Sequence, residues 1–229
     1  MSDSLSRRAF VRLLALTSIM TTRTGTATQS TASIRLPGPR PEGPLSVERA
    51  LSTRRSVREY TAGGLGLAEV SQVLWAAQGV TDSAGYRTTP SAGALYPLET
   101  YVVAGQVTDL PAGVYRYELR PHTLALVVPG DRRRALADAA LQQLFIASAP
   151  VVLVLCAVYA RTTRKYGDRG VRYVHMEAGH AAQNVSLQAV SLGLGTVVVG
   201  AFADARVRAV IGAAADEEPL YILPIGHGG

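Results

Sequence analysis

The sequence predicts an α+β domain, with a mostly buried sheet and one long central helix. Three observations carry that prediction. Of the 229 residues, 48% are hydrophobic and 17% charged, which is enough apolar content for a sizeable core. The run "PVVLVLCAVY" reads as a continuous apolar strand, the pattern of a strand buried on both faces. The segment "VRYVHMEAGHAAQNVSLQAVSLGLG" repeats apolar residues at steps of three and four. Val174, Ala178, Ala181, Val185, Ala189 and Leu192 therefore share one helix face. The small residues Ala178, Gly179, Ala181 and Ala182 would admit a close neighbour, either a partner helix or a flat ring.

The length suits one domain with appendages. Residues 1–32 read as a signal and spacer, 33–44 as a Pro/Gly arm and 45–229 as the folded domain. "SRRAFVR" followed by "LLALTSIM" resembles a twin-arginine export signal; the alternative is a basic tail with a chance Arg-Arg. Its apolar stretch is far shorter than the ~20 residues a membrane span needs. The arm "RLPGPRPEGP" cannot continue a helix or a central strand, and is expected to lie extended on a surface.

In the domain, Ser46 caps a helix running through Leu51. A second helix fits "LAEVSQVLWAAQ", Leu67 to Gln78. "RTTPSAGALYP" is loop and "LETYVVAG" a strand. "GVYRYELRPHTLALVV" alternates on either side of a proline turn, as a hairpin does. Asp131 to Phe145 reads as one helix. After the long helix come a strand "TVVVGAF", a helix "ADARVRAVIG" and a strand "LYILPIG".

The charge is +6, and residues 1–32 hold half of it, with Arg7, Arg8, Arg12 and Arg23 against Asp3. The remainder is too little for the broad basic face of a nucleic-acid binder. One cysteine, Cys156, excludes an intramolecular disulfide and reads as a small buried strand residue. His175 and His180 stand five apart, off a shared helix face, and His122 and His227 stand alone, so a metal site is not expected. "GLGTVVVG" is no dinucleotide fingerprint, because its glycines follow a helix and precede a strand. No Gly-x-Ser-x-Gly element occurs.

Two basic stretches stay open on the residues alone. "LSTRRSVREYT" concentrates Arg54, Arg55, Ser56 and Arg58 at a helix end, which suits a phosphate or simply a solvated surface. "RTTRKYGDRG" holds Lys165, the only lysine among 23 basic residues. It is either a solvated loop or the lining of a site.

The combination narrows these alternatives. "RRSVREY", "PSAGALYPLE", "RKYGDRGVRYVHMEAGHAAQN" and "GLGTVVVGAF" occur in an order that resembles the nitroreductase-like FMN oxidoreductases. The closer likeness is to the SagB-type, or thiazoline/oxazoline dehydrogenase, branch. The resemblance spans about residues 34–229. It implies a dimeric FMN-binding fold with a central mixed sheet around the long helix. It also implies that Arg54, Ser56 and Arg58 hold the FMN phosphate and ribityl chain, with Arg55 adjacent. Pro90, Ser91, Ala92 and Gly93 match a loop along the flavin ring, usually supplied across a dimer interface. Val199 and Gly200 match backbone facing the reactive flavin nitrogen through main-chain N–H. Lys165 and Tyr166 match a Lys-Tyr acid/base pair.

A flavin site does need a cationic pocket, small residues beside the ring and donors near its redox centre. Ala94 stands where many nitroreductases carry asparagine, which favours the SagB-like branch. His227 stands where a basic residue often helps grip the phosphate. The implied activity is hydride transfer through FMN on azoline-like heterocycles in peptides, or on nitro or quinone acceptors with NAD(P)H. A flavin-binding module without turnover is the third alternative. Export would separate the protein from NAD(P)H, and would favour oxygen or an electron-transfer partner instead.

Overall fold

A computed structural model describes residues 33–229, so the residues assigned to export lie outside the described part. The described chain is a three-layer α+β arrangement built on one seven-stranded sheet. The strands are β1 (Ser33–Arg35), β2 (Leu98–Ala104), β3 (Gly113–Glu118), β4 (Thr123–Pro129), β5 (Val151–Ala157), β6 (Gly195–Thr196) and β7 (Glu218–Gly226). Their order across the sheet is β1-β4-β3-β2-β5-β7-β6.

Every ladder is antiparallel, so the sheet is not the mixed one expected. Parallel pairing among strand-like segments is confined to isolated bridges such as Ser56 with Thr196. The reason is burial. β2 and β5 are buried along their whole length, and helices cover both faces, so β5 carries the unbroken apolar run usual in parallel sheets.

Alternate residues of the central strands feed two cores. Val102 of β2 and Leu153 and Leu155 of β5 pack with α2 (Leu67–Gln78) and α6 (Arg169–Ser191). Tyr101 and Val103, with Val152, Val154 and Cys156, pack with α3 (Arg133–Ala139), α4 (Phe145–Ser148) and α7 (Asp204–Ile211). Cys156 is fully buried, and that burial pushes its thiol well above the usual range.

α1 (Val47–Thr53) begins where Ser46 Oγ accepts the Arg49 N–H at 3.2 Å, the cap anticipated from sequence. α2 has the expected bounds, and its face is buried through Val70, Val73, Leu74 and Ala77. α6 buries the predicted face, from Val174 through Ala178, Ala181 and Val185 to Ala189. The arm's Ser33–Arg35 joins the sheet edge as β1, and Gln72 then pins the arm by bonding both backbone groups of Arg40.

Three local expectations are corrected. Asp131–Phe145 is not one helix: α3 ends at Ala139 and α4 begins only at Phe145, because Leu141 and Gln142 adopt positive φ and break the path. "TVVVGAF" pairs only at its first residue within β6 and again at the single bridge Val199–Ile222. "RTTRKYGDRG" is not a loop: Ala160–Tyr166 forms helix α5, and α6 starts at Arg169.

Candidate active site

The predicted residues fall into two clusters. The first is built on the segment after α1. Val57 N–H donates to Thr196 O at 3.0 Å, and Ser56 forms a bridge with Thr196. This lays Arg54–Arg58 along β6, just past the end of α6. The approach needs Gly195, whose added Cβ would come within 2.7 Å of Val57. Residues 59–61 then pair with the chain end, with Thr61 N–H on His227 O at 3.0 Å and Gly229 N–H on Glu59 O at 3.2 Å. His227 is thereby brought beside the arginine segment.

Arg54 is half-buried; Arg55, Ser56 and Arg58 are exposed. Arg55 Nη1 donates to the carbonyls of Ser52 and Arg54 at 3.2 and 2.8 Å. Among the described residues no carboxylate lies within ion-pair distance of Arg54, Arg55 or Arg58. The cluster is a patch of uncompensated guanidinium groups beside a serine hydroxyl, and that donor set fits a phosphate.

The second cluster gathers the loop Pro90–Gly93 and the pair Lys165–Tyr166. Gly93 sits at φ 65°, and Ala94 and Tyr96 also have positive φ, at 55° and 46°. Such strained backbone concentrates at functional sites. A Cβ on Gly93 would lie 2.8 Å from Tyr166 Oη and 3.0 Å from Lys165 Nζ. Both polar tips of the expected pair therefore converge on Gly93.

Arg161, one turn before Lys165 on α5, fixes that approach. It donates Nη1 to Tyr96 O at 3.1 Å, at the end of the loop, and Nη2 to Glu99 of β2. Glu99 is 8% exposed and also binds Arg116 Nη2 at 2.9 Å. Arg116 reaches Glu217 at 3.1 Å, and Glu217 accepts the Tyr101 hydroxyl. A charged network thus joins β2, β3 and the segment before β7 to the helix that carries Lys165.

Gly93→Ala is expected to leave the fold standing while costing about 1–2 kcal/mol through the positive φ alone. The added methyl must also push Lys165 and Tyr166 from the loop. Thermal unfolding should register a small loss and turnover a larger one.

Sequence reading did not single out Glu177, on α6. It is 2% exposed, and its Oε1 has no hydrogen-bond partner among the described residues. Burial pushes its carboxyl up to about 7, against the pull of the Ser91 hydroxyl and Arg87. A signal was present: Glu177 is the only acid between Asp168 and Asp204, one position from the apolar face of the long helix.

The segment Val199–Gly200 supplies less than expected. The Val199 N–H already donates to Ile222 O at 2.9 Å. Gly200 is exposed, and its N–H has no backbone partner among the described residues, so the available donor is its own.

The two clusters stand at different points along α6. The arginine segment lies beyond the helix end at Ser191, whereas Ser91 and Lys165–Tyr166 lie by its first half. From Glu177 to Ser191 the helix rises about 20 Å. The small residues of loop Pro90–Gly93, the unpaired arginines and the free Gly200 N–H together have the features that a flavin mononucleotide requires.

A family model described as "Nitroreductase family" matches residues 51–227. The chain belongs to the nitroreductase family. It is accordingly a flavin-type oxidoreductase. A Methanocaldococcus jannaschii protein named a nitroreductase is 52% identical over 183 residues, covering 80% of this chain and 91% of the relative. A solved Ralstonia eutropha structure, also named a nitroreductase, superposes with TM-score 0.75 at 32% identity, covering 86% of this chain and 90% of its own. The Escherichia coli microcin synthetase McbBCD complex with truncated pro-MccB17 contains a chain of the same fold, with TM-score 0.65 at 22% identity. That match covers 97% of this chain and 85% of the other.

Proposed function

We propose that the protein is an FMN-dependent dehydrogenase working as a homodimer, with each site shared between subunits. Arg54, Ser56 and Arg58 of one subunit hold the phosphate, with Arg55 adjacent. Pro90, Ser91, Ala92 and Gly93 of the other border the ring. Bound there, FMN supplies a two-electron acceptor for hydride. Lys165 Nζ and Tyr166 Oη donate and accept the protons that accompany hydride transfer at the substrate. The Gly200 N–H offers a main-chain donor near the redox centre.

The observation that carries this reading is the convergence of Lys165 and Tyr166 on Gly93. An amine and a phenol held within about 3 Å of one point suit proton exchange with a substrate lying over the loop. They are not needed for a purely electron-transferring flavin. The pair supports the SagB-type reading with azoline rings in peptides, and the fold shared with a chain of the microcin synthetase complex that holds truncated pro-MccB17 agrees with it. The M. jannaschii relative favours a second reading, an NAD(P)H-dependent nitro or quinone reductase. If Arg7 and Arg8 direct export, the first reading takes oxygen as the acceptor that reoxidises the flavin, and the second needs an electron donor other than NAD(P)H.

The test compares turnover of a thiazoline-containing peptide with that of a nitroaromatic plus NAD(P)H. Lys165→Ala and Tyr166→Phe should each lower azoline oxidation by about 10²–10⁴-fold, the range of a lost acid/base group. The flavin spectrum should not change. Equal nitro reduction in both variants, with no azoline turnover by the parent protein, would favour the second reading.

A further inference from the structure

A pocket of about 250 Å³ opens between the flavin-loop residues Pro90, Ser91 and Ala92 and the α6 residues Tyr173, Met176, Glu177 and His180. Ser91, Tyr173 and His180 bring polar groups to its wall from half-buried or exposed positions, and one lining polar group is deep. That group is the Glu177 carboxyl, almost fully buried, with an oxygen that no described group satisfies. Buried carboxyl oxygens are nearly always bonded, so an unpartnered one in the wall of a cleft awaits a ligand's polar atom. The Tyr173 ring packs edge-on against Tyr166, with centroids 5.2 Å apart, so the pocket adjoins the Lys165–Tyr166 pair.

We propose that this pocket is a specificity site for a nitrogen-bearing ring, and that Glu177 selects the ring nitrogen by sharing a proton with it. The inference rests on the reading above, in which the Pro90–Gly93 loop borders the reacting ring. The groups facing Glu177 are the Ser91 hydroxyl and Arg87, before α6, with Tyr173 and His180 of α6 in the same pocket wall; Lys165 and Tyr166 of α5 lie beyond the Tyr173 ring. Arg87 has no ion-pair contact with Glu177; its Nη1 donates to Gln78 at 2.8 Å, and its guanidinium lies over Tyr96 at 4.0 Å. Glu177 is therefore free to change its protonation with the ligand.

The selectivity follows from donor and acceptor count. Near neutral pH the Glu177 carboxyl is close to half protonated. A ring nitrogen of similar proton affinity, as in an imidazole, is an acceptor when neutral and a donor when protonated. Carboxyl and ring nitrogen are then complementary with the shared proton on either partner. A nitro or quinone oxygen only accepts. It finds a donor in the protonated carboxyl and meets repulsion from the ionised one.

The experiment uses the full chain loaded with FMN, with imidazole and nitrobenzene as separate probes, titrated calorimetrically at pH 6, 7 and 8. Imidazole should bind at all three values, and about tenfold more weakly to Glu177→Gln, which cannot ionise. Nitrobenzene should bind the parent more weakly as pH rises, and the variant without pH dependence. Equal imidazole affinity in parent and variant, or pH-independent nitrobenzene binding to the parent, overturns the proposal.

The parent's own pH profile needs no variant, so misfolding of Glu177→Gln would not shield the idea. Misfolding is not expected. The raised carboxyl binds its proton more tightly folded than unfolded, so parent stability should decline as pH climbs from about 4.5 through 7. The amide should remove that decline. The visible flavin band is recorded alongside: intact FMN binding with a failed probe test sinks this inference alone, whereas absent FMN binding sinks the reading beneath it.

Discussion

Replacing Arg54 and Arg58 together by alanine is expected to weaken FMN binding by about 10²–10⁴-fold, from two lost charge-assisted hydrogen-bonding side chains. The effect should be large because neither guanidinium has a carboxylate partner to release, so nothing offsets the loss. It should also spare the fold. Arg58 is exposed, and the segment is held by backbone pairing to β6 and to residues 227–229, which alanine preserves. Equilibrium dialysis or quenching of flavin fluorescence reads the constant directly. Unaltered affinity would show that the positive patch serves another anion.

The second expected result is rescue by mixing. Arg54→Ala/Arg58→Ala protein and Lys165→Ala/Tyr166→Phe protein should each be nearly inactive alone. After subunit exchange, half of the dimers are mixed. If one subunit supplies the phosphate grip and the other the loop and acid/base pair, each mixed dimer contains one intact and one doubly damaged site. About a quarter of parental activity should return. If both halves belong to one chain, every site in the mixture is damaged and nothing returns. The roughly 20 Å rise of α6 between the two clusters is why the first outcome is expected. A monomer by light scattering would remove the basis for the experiment.

How far the sequence could be read depended on whether the information was local. Ser46 as a cap and Leu67–Gln78 as a helix are local facts of hydrogen bonding and periodicity, and the structure has both. The buried face of α6 is equally local. Strand direction is not: an apolar strand such as Val151–Ala157 records burial on both faces, whichever way its neighbours run. The break at Leu141–Gln142 carries no glycine or proline to announce it. The apolar "TVVVGAF" suggests a full strand because β-branched residues signal packing on a pleated surface, not the presence of a partner along their length.

The site showed the same division. Arg54, Arg55 and Arg58 stand out as unusual charge density in an apolar chain, and Lys165 as a solitary lysine. Their meaning came from likeness to a family rather than from spacing. The α5 helix hid behind its polar composition, since "ARTTRKY" presents little apolar periodicity and is held instead by Arg161 through Glu99 and Tyr96. Glu177 escaped because an acid on a long helix is ordinarily solvated. Only the packed loop above it shows otherwise.

The deep position of Cys156 has a practical corollary. The sole thiol of the chain sits at the centre of the sheet, closed to solvent and held protonated, so thiol-directed reagents have no native target to attack. A cysteine placed at an exposed position, such as Met176, can carry a spin label or dye without first stripping the background. Ruler measurements between two such labels would then report directly on how copies of this chain sit against each other.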